Sequence, residues 1–393
     1  MPTTTSGSSA VSASIPATMR AAVLHGDSPR LEVLEIDTPA PRAGEALLEV
    51  IACGVCHTDL HVIKGEVTFP RPAVLGHEVS GRIVTIGEGT EDARGLRPGD
   101  IVAAGFIMPC ETCDQCLRGR DDLCVEFFAQ NRLRGTLYDG ESRLAMPDGS
   151  FLAMYSMGGL AEYAVVPLSA LTAVPVGLDP ELACILGCSG LTSYGAVFRA
   201  GEVADGDSVA IVGVGGIGSS LIPMARSAGA TTIVAIDVAD EKLERARELG
   251  ATHTVNARET DPVAAVREAT GGGVRVAFEA LGHPATFAQA VGMLDDGGRM
   301  VAIGIAAGAA AAEVEITPLV RRGHHIVGSF GGRTRTDLPE VAALAAAGAF
   351  DVASLVTRRF DLDDADAAYQ ALARGEITGR AVIVTGAATK EFA

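Results

Sequence analysis

The sequence predicts an α/β protein in which a β-rich first part is followed by a doubly wound parallel sheet. Between residues 19 and 175, short apolar segments separated by Gly, Pro and Asp favour a β-rich unit with long loops. From about residue 192, strand-like and helical segments alternate, which indicates parallel strands with helices on both faces. The 393 residues exceed the usual size of one hydrophobic core, so at least two domains are expected.

The β-rich part is preceded by a polar extension. Residues 1–18 are rich in Ser, Thr and Ala and contain neither a basic residue nor an apolar core segment, so they do not resemble a targeting peptide. We expect a disordered extension over residues 1–18, with ordered structure from about Met19. The strands expected after it have the sequences RAAVL, LEVLEI, ALLEVIACG, EVSGRIVTIG, DIVAAGF and AEYAVVP.

The second part alternates between the two kinds of element. Its expected strands have the sequences SVAIVGVGGIG, TTIVAIDV, THTVNA, VRVAFEALG, GRMVAIGIA and HHIVGSF, and its helices include SSLIPMARSAG, DEKLERARELG and DPVAAVREATG. Two further helices, LPEVAALAAAG and LDDADAAYQALARGE, precede a last strand, RAVIVTG, which we expect to return to the first part. The expected units are residues 19–190, residues 191–332 and a returning segment, residues 333–393.

Composition and charge narrow the classes of partner. Hydrophobic residues make up 48% and charged residues 20%, as in ordinary globular proteins, and no apolar run approaches the roughly 20 residues that span a bilayer. The net charge of −18 would repel a phosphate backbone, so neither nucleic acid nor a membrane is expected as a partner. Small molecules therefore remain as the expected class of partner. Clustered cysteines without a secretory segment favour a reducing, cytoplasmic location.

Four cysteines form a compact metal-binding pattern. Cys110, Cys113, Cys116 and Cys124 follow the spacing C-x2-C-x2-C-x7-C. Four thiolates this close can complete a tetrahedral shell around Zn²⁺, which leaves no position for a substrate, so a structural zinc site is predicted. Disulfides are the alternative interpretation.

A glycine-rich turn predicts a dinucleotide site. Gly213, Val214, Gly215, Gly216, Ile217 and Gly218 follow an apolar strand and open a helix, the context in which glycines let a pyrophosphate approach the helix N-terminus. Asp237 ends the next strand, where a carboxylate can accept hydrogen bonds from a ribose 2′-OH and would repel a 2′-phosphate, so NAD is favoured over NADP. Lys242 could reach the same ribose. The alternatives are a helix cap for Asp237 and a solvated helix charge for Lys242.

Residues that can ligate a second metal ion concentrate in three segments. The first runs from Cys53 through Cys56 and His57 to His61, the second contains His77 and Glu78, and the third runs from Cys184 to Cys188. A catalytic zinc needs three protein ligands and an exchangeable position. Composition alone leaves several ligand combinations open.

From Met19 onward, the motifs GVCHTDLH, GHE, the four-cysteine pattern, GCSGLTSYGAV and GVGGIG occur together in one order. In this the chain resembles a zinc-dependent alcohol dehydrogenase of the medium-chain dehydrogenase/reductase family. The resemblance implies a GroES-like catalytic domain and a Rossmann NAD-binding domain, with two zinc ions per subunit. It also implies that Cys56, His77 and Cys188 hold the catalytic zinc, with Asp59 and Glu78 behind them and Cys53 and Cys184 as ordinary buried thiols.

The resemblance assigns further roles. Thr58 and His61 resemble a proton relay, for which a local cap and a surface histidine are the alternatives. His57 and Arg380 resemble pyrophosphate contacts, Thr192 a nicotinamide contact and Phe330 a residue at the cofactor edge. Positions that resemble pocket positions, with a hydrophobic core role as the alternative, are Val67, Phe106, Met154, Tyr155 and Met157. The long segment between Cys124 and Tyr163 resembles that of the dimeric subgroup, so a homodimer is expected. The alanine-rich residues 305–312 depart from the family and could alter subunit contacts.

These features predict an NAD-linked, zinc-dependent oxidoreductase that interconverts a largely apolar alcohol and its aldehyde or ketone. One alternative is a formaldehyde dehydrogenase that acts on a thiol adduct, for which Arg132, Arg134 and Arg143 could bind the anionic carrier; a solvated loop explains these arginines equally well. The other is a catalytically silent protein that binds NAD and zinc. The substrate and the physiological direction are not predicted.

Overall fold

The computed structural model describes residues 15–26, 28–306 and 308–386. Within the expected extension, residues 1–14 lie outside the described part of the chain. The first strand, β1, begins at Thr18, one residue before the expected start of ordered structure.

Two sheets and the helices between them form the β-rich part. Its strands are β1 (Thr18–Leu24), β2 (Leu31–Asp37), β3 (Glu45–Val55), β4 (Ala73–Val74), β5 (Val79–Ile86), β6 (Ile101–Ala104), β7 (Leu144–Ala145), β8 (Phe151–Met154), β9 (Tyr163–Pro167) and β10 (Leu171–Ala173). Helices α1 (His57–Ile63) and α2 (Asp114–Leu117) are short. A five-stranded sheet has the order β2-β1-β4-β8-β7.

The second part is a six-stranded parallel sheet with helices between its strands. The strands are β11 (Ser208–Val212), β12 (Thr232–Asp237), β13 (His253–Asn256), β14 (Val274–Glu279), β15 (Leu294–Ala302) and β16 (His325–Gly328). Helix α3 (Ser189–Tyr194) precedes β11, and the helices between the strands are α4 (Gly216–Ser227), α5 (Asp240–Leu249), α6 (Pro262–Thr270), α7 (Pro284–Gly292) and α8 (Ile316–Arg321). The strand order β13-β12-β11-β14-β15-β16 is that of a Rossmann sheet, so the predicted fold class is confirmed.

After the Rossmann sheet the chain returns to the β-rich part. The elements are α9 (Thr334–Ala346), α10 (Val352–Leu355), β17 (Val356–Asp361), α11 (Ala365–Ala373) and β18 (Arg380–Val384). Strand β18 pairs antiparallel with β3, which places it in the seven-stranded sheet of the first part. The return of the last strand therefore occurs as predicted.

Shorter helical turns connect these elements. They comprise 3-10 turns at Asp121–Leu123, Leu168–Ala170, Leu182–Gly187 and Leu362–Asp364 and π-helical turns at Phe127–Arg132 and Gly195–Ala200. No helix in the described part of the chain is long and apolar enough to cross a membrane.

Candidate active site and metal centres

Four buried side chains converge where the β-rich part meets the helix that leads into the Rossmann sheet. Cys56 caps α1 directly after β3, His77 and Glu78 precede β5, and Cys188 precedes α3. One ligand atom from each lies within 4.8 Å of those of the others. We call these residues the Cys56 cluster. It brings together the three residues expected to hold the catalytic zinc and adds a carboxylate oxygen of Glu78.

Asp59 fixes the orientation of His77. This fully buried carboxylate accepts hydrogen bonds from His77 Nδ1 at 3.1 Å, from the Gly76 backbone N–H at 3.2 Å and from the Tyr369 hydroxyl at 3.0 Å. Because Nδ1 is engaged, Nε2 is left as the nitrogen that can ligate a metal ion. Burial lowers the pKa of His77, but the negative charges of Asp59 and Cys56 outweigh it and raise the value to about 10. The surroundings of the ring therefore favour a positive charge.

Glu78 connects the cluster to the glycine-rich turn through Arg380. A carboxylate oxygen of Glu78 accepts a hydrogen bond from Arg380, and both side chains are buried. A Cβ atom on Gly216 would lie 2.9 Å from Nη1 of Arg380, so the guanidinium group also lies against the start of α4. The other oxygen, Oε2, makes no hydrogen bond with the described residues. Arg380 thus contacts both candidate sites.

The remaining two cysteines near the cluster have the character of protonated thiols. Burial raises the pKa of Cys53 and of Cys184 well above the usual value. Their Sγ atoms donate to the carbonyl oxygens of Gly54 and Glu181, at 3.7 and 3.2 Å. By contrast, the hydrogen bond between Cys188 and Cys56 lowers the pKa of Cys56 well below the usual value, despite burial, and raises that of Cys188, so the two thiols share one proton. Cys56 is therefore suited to be a thiolate ligand.

The four-cysteine cluster is a second, separate group. The Sγ atoms of Cys110, Cys113, Cys116 and Cys124 all lie within 4.8 Å of one another. Backbone N–H groups of Cys110 and Phe127 donate to the Cys124 sulfur, both at 3.4 Å. Such N–H···S bonds stabilise thiolates, and all eight cysteines of the chain are free of disulfides. The geometry fits a metal shell rather than the alternative of disulfides.

An arginine from the returning segment holds the four-cysteine loop in place. Arg335, at the start of α9, donates to the Asp121 carboxylate and to the Cys116 carbonyl oxygen, both at 2.6 Å. Asp121 is almost fully buried, so this ion pair is shielded from solvent. The loop is therefore attached to the returning segment.

The glycine-rich turn has the close contacts that its motif requires. Gly213 has a φ of +91°, which favours glycine, and a Cβ on Gly218 would lie 1.9 Å from the Gly213 carbonyl oxygen. Around Gly215, in contrast, a Cβ would meet nothing within 4 Å. The turn leaves open space at the N-terminus of α4, where a pyrophosphate can approach the backbone. Val214 and Ile217 complete the turn.

Asp237 lies beside this turn at the end of β12. One carboxylate oxygen accepts a hydrogen bond from the Val214 N–H at 2.8 Å, and the other from the Val238 and Ala239 N–H groups at 2.7 and 3.2 Å. Lys242 Nζ lies 3.9 Å from the carboxylate. Because every bonded partner is a donor, the carboxylate is held as an acceptor beside the glycine-rich turn.

Thr58 and His61 lie on α1 at different depths. Thr58 Oγ1 lies 3.6 Å from Cys56 Sγ, while His61 is exposed and pairs with Glu66. His57 is also exposed, at the first position of the helix. No sequence motif identifies Glu66 as the partner of His61. Thr58 thus lies at the cluster, and His61 lies at the surface.

Aromatic rings form the wall next to His77. The rings of Phe106 and Tyr155 stand edge-on to it, with centroids at 5.9 and 6.2 Å, and Phe330 packs edge-on to Phe106 at 5.5 Å. Among the other expected pocket residues, Met154 and Met157 are fully buried and Val67 is 42% exposed. Thr192 is buried on α3, with its N–H bonded to the Cys188 carbonyl oxygen. The wall beside the cluster is apolar.

The three arginines considered for an anionic carrier differ in environment. Arg143 is ion-paired to Glu45 and Asp139, and its side chain is only 5% exposed, so the expectation for Arg143 is wrong. Because the guanidinium group already binds these two carboxylates, it is not available to an anionic carrier. Arg134 is exposed, whereas Arg132 packs on the aromatic wall.

Comparison with known proteins places this geometry in context. Residues 42–176 match the model of the alcohol dehydrogenase GroES-like domain, and residues 216–347 match that of zinc-binding dehydrogenases. An S-(hydroxymethyl)glutathione dehydrogenase of Photobacterium damsela subsp. piscicida is 35% identical over 366 residues, which cover 91% of this chain and 97% of the relative.

Solved structures agree with these matches. An alcohol dehydrogenase zinc-binding domain protein from Burkholderia ambifaria superposes with a TM-score of 0.88 at 34% identity, over 93% of this chain and 98% of its own. Benzyl alcohol dehydrogenase from Acinetobacter calcoaceticus has a TM-score of 0.87 at 32% identity, over 94% and 99%.

Proposed function

Since the chain belongs to the zinc-dependent alcohol dehydrogenases of the medium-chain dehydrogenase/reductase family, we propose that it oxidises a largely apolar alcohol to an aldehyde or ketone, or catalyses the reverse reduction, with NAD as hydride acceptor. The observation that carries the proposal is the Cys56 cluster, joined through Arg380 to the glycine-rich turn. A metal site and a dinucleotide site in contact are what hydride transfer requires.

The donor chemistry of the Cys56 cluster fits zinc. Two thiols and one imidazole nitrogen, all buried, form the ligand set found in alcohol dehydrogenases. Cys56, His77 and Cys188 would hold the ion, while Asp59 orients His77 and Glu78 remains paired with Arg380. When bound, zinc would supply a Lewis acid for the substrate oxygen, and the nicotinamide would accept the hydride. The four-cysteine cluster would hold a second, structural zinc ion.

Thr58 and His61 would move the hydroxyl proton of the alcohol to solvent. The Thr58 hydroxyl is close to the cluster, and the exposed imidazole of His61 can exchange protons with water. The hydrogen bond with Glu66 would hold the imidazole of His61 in place. Phe106 and Tyr155 would exclude water from the reacting atoms and favour an apolar substrate.

The cofactor would lie along the edge from Asp237 to Thr192. The turn from Gly213 to Gly218, with Val214 and Ile217, would bind the pyrophosphate together with His57 and Arg380. Asp237 and Lys242 would bind the adenosine ribose, and Thr192 and Phe330 would contact the nicotinamide end. Residues 19–190 with 333–393 would form the catalytic domain, and residues 191–332 the NAD-binding domain.

A second candidate function is the oxidation of a thiol adduct of formaldehyde. It is favoured by the name of the Photobacterium relative, an S-(hydroxymethyl)glutathione dehydrogenase. Rates with formaldehyde measured with and without glutathione distinguish the two functions. A requirement for the thiol would replace the first proposal.

We further propose a cytoplasmic homodimer. Eight free cysteines suit a reducing compartment. Strand β16 is an edge of the Rossmann sheet, and apolar side chains are exposed on it and on the neighbouring α8: Ile326 at 39%, Ile316 at 75% and Val320 at 71%. An exposed apolar edge strand is a template for pairing with a second copy about a two-fold axis.

Removal of the Cys56 thiol tests the proposed chemistry. We expect Cys56→Ala to lower kcat for alcohol oxidation at least about 1000-fold, because the open zinc site loses a ligand. The matched control is Cys53→Ala, three residues earlier, which removes a buried thiol outside the cluster and should keep most of the activity. Reduced nicotinamide is followed by its absorbance. Full turnover by Cys56→Ala would contradict the mechanism.

Cofactor choice tests the role of Asp237. We expect kcat/KM to be at least about 100-fold higher with NAD than with NADP, since the carboxylate repels a 2′-phosphate. Asp237→Ser should reduce this ratio, whereas Asp240→Asn, which changes a carboxylate on α5 that bonds Asn256, should not. A wild-type preference for NADP would refute the assignment.

Light scattering of the purified full chain tests the assembly. The expected mass is that of two chains, and Ile326→Lys should shift it toward one because a charge on β16 disfavours edge pairing. Leu133→Lys, at a residue that is 69% exposed elsewhere on the surface, should leave the mass unchanged. A wild-type mass of one chain at all concentrations would exclude the dimer.

A further inference from the structure

The hydroxyl of Tyr369 lies inside the protein, one residue away from a proposed zinc ligand. The side chain is fully buried on α11, and its hydroxyl donates to Oδ2 of Asp59 at 3.0 Å. The same Oδ2 lies 3.0 Å from Nδ1 of His77. The contacts thus run from Tyr369 through Asp59 to His77, which belongs to the Cys56 cluster.

Each oxygen of the Asp59 carboxylate has a donor besides His77. Oδ1 accepts from the Gly76 N–H at 3.2 Å, and Oδ2 accepts from the Tyr369 hydroxyl. Nδ1 of His77 lies almost equally far from the two oxygens, at 3.1 and 3.0 Å. One donor on each side therefore defines the plane of the carboxylate. Without the Tyr369 hydroxyl, the carboxylate could turn, and the ring of His77 could turn with it.

The Tyr369 hydroxyl acts as a donor in this contact. An ionised carboxylate can only accept hydrogen bonds, so the proton of the pair belongs to the phenol. Burial and the charge of Asp59 raise the pKa of Tyr369 well above its ordinary value. The phenol therefore stays neutral and keeps its proton directed at Oδ2.

Contacts at the start of α11 fix the position of Tyr369. Asp366, in the first turn, accepts hydrogen bonds from the Leu31 N–H at 3.0 Å and from Arg30 at 2.6 Å. These bonds attach the helix to the beginning of β2. A group that orients a ligand must itself be held by packing and hydrogen bonds, and Tyr369 meets both conditions.

We infer that Tyr369 is a positioning residue for the open zinc site: through Asp59 it keeps the His77 ring in the orientation that presents Nε2 to the metal ion. The inference rests on the proposed function, which places zinc between Cys56, His77 and Cys188. Groups that orient metal ligands in this way typically account for about 10- to 100-fold in metal affinity. Phenylalanine at this position would keep the ring and remove only the donor.

Zinc binding by the whole chain tests the inference without any turnover. Competition with a chromogenic chelator measures the affinity of each site, and the site that is lost in Cys56→Ala is the open one. Tyr369→Phe should bind zinc about 10-fold or more weakly at this site and normally at the four-cysteine cluster. The matched control is Tyr138→Phe, which removes a partly buried hydroxyl that donates to the Met108 carbonyl oxygen. It should leave the open site unchanged.

Three further measurements separate positioning from a general structural role. Co²⁺ in the open site reports its ligand geometry by visible absorption, which should change in Tyr369→Phe and not in Tyr138→Phe. In an Asp59→Asn background, Tyr369→Phe should alter zinc affinity by less than about threefold, because the residue through which it acts has been changed. Site-specific 3-fluorotyrosine at position 369 keeps the donor, so it should keep the wild-type affinity.

Three results would overturn the inference: an unchanged affinity and cobalt spectrum in Tyr369→Phe, an equal loss at both zinc sites, or the same loss in the Asp59→Asn background. The last two would show a role in general packing. If Tyr369→Phe does not fold, the fluorine signal of the 3-fluorotyrosine chain should still shift when zinc leaves the open site, and a constant signal would overturn the inference. A wild type that binds zinc only at the four cysteines would refute the proposed function as well.

Discussion

The hydrogen bonds to the buried Asp59 carboxylate are the interactions on which the rest of the site depends. Three donors from separate parts of the chain meet there: His77 Nδ1, the Gly76 N–H and the Tyr369 hydroxyl. A buried carboxylate is tolerated only when such donors satisfy it. Tyr369 lies on α11, so the site is complete only once the chain has returned from the Rossmann sheet to the β-rich part. The orientation of His77 therefore depends on the topology that returns the chain to the β-rich part.

Arg380 plays a comparable part on the other side of the cluster. It comes from β18, the strand that closes the seven-stranded sheet against β3, and it contacts both Glu78 and the start of α4. Burial alone would disfavour both ions of this pair, and their mutual attraction offsets that cost. A single arginine thereby links the Cys56 cluster to the glycine-rich turn. Hydride transfer needs the distance between them to be constant, since misplacement by about 1 Å can cost 100-fold in rate.

The parts of the molecule encoded by local sequence could be predicted, and those made by distant contacts could not. Apolar runs identified the strands of the Rossmann sheet, and the spacing of Cys110, Cys113, Cys116 and Cys124 identified a group that the fold brings together. The hydrogen bond from Tyr369 to Asp59 joins residues 310 positions apart and has no motif. Arg143 was considered as an anion-binding residue for the same reason. Its ion pair with Glu45, 98 positions earlier, has no signal in the sequence. The contact of Arg132 with Tyr155 is likewise a product of packing.

The central claim is that one chain holds two metal ions in sites of different chemistry, one closed and one open to substrate. Anomalous diffraction at the zinc absorption edge, from crystals of the chain purified with its native metal, tests it most directly. The account predicts two zinc peaks of comparable occupancy in each chain, one among the four cysteines and one between Cys56, His77 and Cys188. A single peak at the four cysteines, with the Cys56 cluster empty in a catalytically active preparation, would contradict it.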